Sequence, residues 1–342
     1  MKLRSLARSL ESSPLGRLLG APALHALVPL LIVLALGCIF NQDGAFFEWQ
    51  THRALLREIS VVGILACGMT LVIIAAGIDL SVGSVLALAA VSFAILTITL
   101  RVSALFAVLA VLVIGALAGA LNGVLVGVAK IQPFVVTLAM MVFARGLAKQ
   151  LSGGKKVTSY AAGVEGLGQG VELPAIFGAI DQKVLGGNLS IVTLVFVFSA
   201  GLAWLVLARL RLGRYLYAVG GNPEAARLAG VPVKVTLVVA YALSGVFAAI
   251  AGICQAAQET HGDPETGTGY ELDAIAMVVL GGTSLMGGRG TMRLTLIGAL
   301  TLGYLQKVLS LNAFSSEARL MLTGAILIGA VLFQRRTADG RG

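Results

Sequence analysis

The chain has 342 residues, 58% apolar and 12% charged, with 43 glycines and a formal net charge of +9. Soluble domains carry about 25% charged residues, so this composition excludes a water-soluble globular protein and indicates an all-α polytopic membrane protein. The charge is sorted among the apolar runs, which makes it a topology signal and argues against nucleic acid as a partner.

Apolar runs predict ten membrane helices, at about 23–40, 59–76, 80–99, 103–128, 134–150, 190–208, 237–257, 272–283, 294–311 and 318–333. Lys2, Arg4, Arg8 and Arg17 precede the first run and place residues 1–22 in the cytoplasm. That run is long enough to span, and Phe40-Asn-Gln-Asp-Gly-Ala offers no small-x-small cleavage pattern, so it reads as a retained helix. Alternating from there, the inside segments hold 15 basic and 4 acidic residues, a net +11. The rest of the chain holds 10 and 12, a net −2. The asymmetry predicts a transmembrane body over 23–333, a cytoplasmic loop at 209–236 and a cytoplasmic tail at 334–342.

Asp79 is the only charged side chain between Ile59 and Leu100, within Ala76-Gly-Ile-Asp-Leu-Ser-Val-Gly-Ser84. A carboxylate between two apolar runs is costly to desolvate and by default marks a function. The other reading is a turn residue near a wet interface. Next, Gly115, Gly119, Gly123 and Gly127 recur every four residues and lay a smooth ridge along one helix face. Asn122 beside it needs a polar partner, more simply an interhelix hydrogen bond than a place on a path. The stretch from Leu151 to Asn188 is too polar to span and rich in glycine. It reads as an outer loop, either over a mouth or as a mobile connector.

The loop from Arg209 to Lys234 contains Asn222-Pro-Glu-Ala-Ala-Arg-Leu-Ala-Gly230. Asn222 caps, Pro223 suits the first helical position, Glu224 complements the dipole, and Gly230 with Pro232 terminates: a short helix that invites a docking partner. Gly281-Gly-Thr-Ser-Leu-Met-Gly-Gly-Arg-Gly290 interrupts a later apolar stretch, on the same expected side as the Gly77–Gly83 break. Such paired interruptions point to a substrate path.

Cys38, Cys67 and Cys254 lie in apolar runs at no redox or metal spacing, and His25, His52 and His261 are far apart. No metal or cofactor is expected. The chain carries no phosphate loop, Gly-x-Ser-x-Gly elbow or His-Glu-x-x-His. It therefore reads as no enzyme, and any energy must come from another subunit or an ion gradient.

Gly68-Met-Thr-Leu-Val-Ile-Ile-Ala-Ala-Gly-Ile-Asp-Leu-Ser-Val-Gly-Ser84 resembles the signature of sugar-importing ABC permeases of the ribose, xylose, arabinose and galactofuranose type. The resemblance extends through Asn122-Gly-Val-Leu-Val, Ile131-Gln-Pro-Phe-Val-Val-Thr-Leu138 and Ala144-Arg-Gly146. It continues in Gly213–Arg227, Tyr241-Ala-Leu-Ser-Gly245, Tyr270-Glu-Leu-Asp-Ala-Ile275 and Gly281–Gly290. It covers about 59–333, departing mainly before 59 and over 152–190.

The resemblance implies a bacterial inner-membrane permease that pairs with a second permease subunit, two cytoplasmic ATP-binding subunits and an external sugar-binding protein. The capped helix then becomes a coupling helix, with Gly213, Asn222, Pro223, Glu224, Ala225, Ala226, Arg227 and Gly230 as its candidate residues. Asp79, Ser81, Asn122, Gln132, Thr137, Asp273, Thr283 and Ser284 are candidate polar groups on the path or its gates. Rival readings are a permease for branched-chain amino acids, nucleosides or a signalling furanose, and an ion-coupled transporter. The second would need several intramembrane carboxylates, where Asp79 and Asp273 stand nearly alone.

Overall fold

The computed structural model describes residues 21–159, 172–319, 321–322 and 324–325. The expected segment 1–20, part of the outer loop (160–171) and most of the expected last helix and tail lie outside the described residues. In chain order the helices are α1 (Ala21–Ile39), α2 (Trp49–Ile74), α3 (Val82–Ala94, extended by a π turn at Ile95–Thr99), α4 (Ala104–Gly127) and α5 (Pro133–Ser152). A short α6 (Ala175–Asp181) and a two-residue hairpin, β1 (Lys183–Val184) with β2 (Leu189–Ser190), follow. Then come α7 (Ile191–Arg209), α8 (Arg211–Gly221), α9 (Pro223–Leu228), α10 (Val233–Glu259), α11 (Tyr270–Leu280) and α12 (Met292–Leu311).

Seven helices among the described residues, α2, α3 with its π turn, α4, α5, α7, α10 and α12, are long and apolar enough to cross a membrane. The molecule is an all-α polytopic membrane protein. A helix apolar on every side must be enclosed by protein or by lipid, and both solutions occur. In α2 and α3, 89% and 83% of the most apolar window is buried within the chain; in α4 and α5 the figures are 22% and 28%. Thus α2, α3 and α10 form the core, and α4 and α5 present broad apolar faces bearing Leu105, Phe106, Leu117, Val142 and Phe143.

The glycine ridge explains how α4 joins that core. Gly115, Gly119 and Gly123 lie against the backbone of Gly245, Tyr241 and Val238 in α10, and a Cβ at Gly119 would stand 2.0 Å from the Tyr241 carbonyl oxygen. Only hydrogen fits there, which sets the two axes close enough for dispersion to hold them without a hydrophobic driving force. Hydroxyl pairs tie other helices at depth: Ser60 to Thr193 (3.2 Å) and Thr70 to Thr295 (2.9 Å).

Four departures from the expected elements have physical causes. First, α2 begins at Trp49, ten residues before the apolar run, because His52, Arg53, Arg57 and Glu58 continue the same helix as a half-exposed end. Second, the expected crossing at 272–283 is the 11-residue α11, a rise of about 16 Å and so about half of a hydrocarbon core. The chain reaches the start of α11 as non-helical backbone. Gly262 lies on Ala90–Ala94 of α3, and Gly267 lies on the Gly83 carbonyl, so residues 260–269 run along α3 with Gly262, Pro264 and Gly267 buried and Thr260, Glu265 and Thr268 exposed. Third, the loop after Arg209 contains a second helix, α8, which Gly213 folds tightly back onto Leu207. Fourth, part of the 152–188 stretch is held in place. Val157 bridges Gly262, Lys149 pairs with Glu265 (2.6 Å), Lys156 pairs with Asp263 (3.2 Å), and Arg145 donates to the carbonyls of Pro264 (2.6 Å) and Thr266 (2.7 Å).

Candidate functional site

The two glycine breaks, the half-length α11 and the capped α9 carry the polar chemistry of an otherwise apolar body. At the first break, α2 ends at Ile74, the chain turns through Ala76 and Gly77, and residues 78–81 run back into the protein before α3 starts. Asp79 is 1% exposed. Its Oδ1 accepts from the Ser81 N–H (3.1 Å) and hydroxyl (2.6 Å), and its Oδ2 accepts from the Ser244 hydroxyl of α10 (2.8 Å). The Asn122 amide of α4 donates to Ser81 Oγ at 3.0 Å, while its own Oδ1 has no hydrogen-bond partner among the described residues. One residue earlier, the Ile78 carbonyl is reached by the hydroxyls of Thr137 in α5 (3.3 Å) and Tyr241 in α10 (3.4 Å).

Four expected residues, Asp79, Ser81, Asn122 and Thr137, therefore meet at one break, joined by Ser244 and Tyr241, which the sequence reading did not single out. Both oxygens of the Asp79 carboxyl group are hydrogen-bonded, as a buried polar group requires, and the knot joins α3, α4, α5 and α10.

The other expected residues lie elsewhere. Gln132 is exposed at the start of α5. Thr283 is buried beneath Gly290 with an unpartnered hydroxyl, and Ser284 Oγ accepts from the Met286 N–H (3.2 Å) within the second break. Asp273 sits on the first turns of α11, half-buried, with the Gln306 side chain of α12 nearby. Beside it Tyr270 lies near Gln255 of α10, whose amide donates to Glu259 (2.7 Å). Gln255, Gln306 and Tyr270 were not legible as site residues, since single polar residues in long helices show their common face only once the helices are packed.

At the end carrying Lys130, Arg209, Arg211, Arg214 and Arg293, α9 is built as its punctuation requires. The Asn222 side chain accepts from the N–H groups of Glu224 and Ala225, both at 3.0 Å; Pro223 occupies the first turn, and Gly230 takes φ +83°. Glu224 and Arg227 pair across the exposed face (3.2 Å and 2.5 Å). The hydrogen bond and charge of Arg227 hold the Glu224 carboxyl below its ordinary range. Ala226 is buried against the chain, whereas Glu224, Ala225, Arg227 and Leu228 face outward, with Leu228 77% exposed. Gly213 is buried under the α7–α8 turn.

An apolar helical body, a polar knot at a broken helix and a short helix raised from its basic end define a membrane permease subunit. The family described as "Branched-chain amino acid transport system / permease component" matches residues 53–331, and the chain belongs to it. It is 40% identical over 311 residues to the ribose import permease protein of Escherichia coli (strain K12), covering 91% of this chain and 93% of that one. It is 37% identical over 321 residues to the galactofuranose transporter permease protein of the same strain (92% and 89% covered). It is 35% identical over 329 residues to the fructose import permease protein of Rhizobium meliloti (96% and 87%). No solved structure matches it.

Proposed function

We propose that this chain is the membrane permease of an ATP-driven importer in a bacterial inner membrane, passing a monosaccharide delivered by an external binding protein. The family description names branched-chain amino acids, but the full-length relatives are named for ribose, galactofuranose and fructose, which favours a sugar. The observation that carries the reading is α9: six residues capped at both ends, with an apolar tip at Leu228 and an exposed outer face. Such a helix is a docking peg for a cytoplasmic ATP-binding subunit, which supplies the hydrolysis. Two copies of the permease, two ATP-binding subunits and the binding protein make the working complex.

The polar groups divide by role in this reading. The Asp79–Ser81–Asn122–Ser244 knot, with Thr137 and Tyr241 on Ile78, closes the body around the first break, and Thr283 and Ser284 shape the second. Asp273, Gln306, Gln255 and Tyr270 offer the carboxylate, amide and phenol groups that exchange hydrogen bonds with sugar hydroxyls, weakly enough for release. The test is a sugar panel. The complex in lipid should hydrolyse ATP several-fold faster with one loaded sugar-binding protein, D-ribose being the first to try. Stimulation by a branched-chain amino acid and by no sugar would replace the substrate reading.

A further inference from the structure

The two glycine breaks, far apart in sequence, meet under α8. The buried Gly220, two residues before the Asn222 cap of α9, lies against the last turn of α2; a Cβ there would fall 1.8 Å from the Ile74 carbonyl oxygen and 2.6 Å from the Gly288 nitrogen. That Gly288 N–H donates to the same Ile74 carbonyl at 2.9 Å, so the second break is pinned to the end of α2, where the first break begins. Gly287 packs on Ala76 and on the Gly220 carbonyl, and the Tyr217 hydroxyl donates to the Gly290 carbonyl at 2.7 Å. Ala76 itself holds φ +62°, a left-handed conformation that costs an alanine about 1–2 kcal/mol and persists only where its surroundings enforce it.

We propose that Tyr217 and Gly220 form, with Ile74 and Gly288, a three-way joint that transmits movement of α9 to both glycine breaks at once. This rests on the reading of α9 as the ATPase peg, and makes Tyr217 and Gly220 positioning residues for transport. A rigid α8 clamped between peg and breaks leaves no slack: displacement of α9 carries the Ile74 end of α2, five residues from Asp79, together with the 281–290 loop. The loop tip Met286 is 85% exposed and supplies the reporter.

The experiment uses the full complex with its ATP-binding subunits. A cysteine is placed at Met286, with Cys38, the exposed native thiol, changed to serine. Maleimide labelling is compared with and without ATP plus vanadate, a readout that needs no knowledge of the sugar. The parent should change its labelling rate about fivefold, the low end of coupling between linked sites. Tyr217→Phe and Gly220→Ala should each reduce that change to below about twofold while still co-purifying with the ATP-binding subunits. Gly221→Ala, whose Cβ position is open, should retain it. The joint is refuted by a full response in Tyr217→Phe, by an unresponsive parent that still binds the ATPase, or by loss of ATPase binding in Tyr217→Phe, which would make Tyr217 part of docking. Failure of the parent itself to bind an ATPase would instead remove the reading of α9.

Discussion

At Asp79 the decisive quantity is the cost of an unmade hydrogen bond. The carboxyl group satisfies two hydroxyls and one backbone N–H in a buried site, so its removal leaves those donors without their present acceptor. Each stranded group costs about 1–3 kcal/mol. Asp79→Ala should therefore lower the melting temperature of the purified permease, whereas Asp79→Asn, which keeps an acceptor, should lose less. Equal melting of parent and Asp79→Ala would show that the knot does not stabilise the break. On α9 the chemistry is different because everything is exposed. Arg227 lowers the Glu224 pKa, so what the pair contributes is fully present above the ordinary glutamate value of 4.5 and is lost as pH falls through the lower folded value. ATPase co-purification should then be flat from pH 6 to 8 in parent and Glu224→Gln alike. A Glu224-dependent slope across that range would contradict the assignment.

Among the elements, the helices that read most clearly from the sequence are those whose signal is local. Apolar runs placed α3, α4, α5, α7, α10 and α12 to within a few residues, and the caps of α9 sit where Asn222, Pro223 and Gly230 put them. The glycine ridge of α4 was legible as a packing face, and its partner was not, because period four says that a backbone approaches without saying which one. Gly119→Ala should push α4 from α10, an overpacking loss of about 1–3 kcal/mol in detergent melts. Gly146→Ala, with open space around its Cβ position, should melt like the parent. The descending segment 260–269 was invisible for a related reason. Its path along α3 depends on Gly83, Gly262 and Arg145, which lie far apart in sequence and carry no common periodicity. Ser244 and Gln306 were missed likewise, as lone polar residues on long apolar helices. On α9 the sequence reading chose Ala226 as a docking residue, while the fold turns it inward and turns Leu228 out. Leu228→Asp should accordingly abolish ATPase co-purification with the melting temperature unchanged, and intact capture would remove α9 as the peg.

For the whole molecule, the arrangement joins a core of α2, α3 and α10, α4 and α5 with broad exposed apolar faces, and a basic end where α8 packs against the body and α9 lies exposed. On the proposed reading α9 is the means by which this body is moved, and the chain carries in its own sequence no phosphate loop with which to move itself. The rival is a carrier that uses an ion gradient unaided. The measurement that separates them is sugar uptake into proteoliposomes, with the purified chain alone under a proton or sodium gradient, then with the ATP-binding subunits, the binding protein and ATP. The account predicts uptake only in the second arrangement, abolished by Leu228→Asp; gradient-driven accumulation by the chain alone would contradict it.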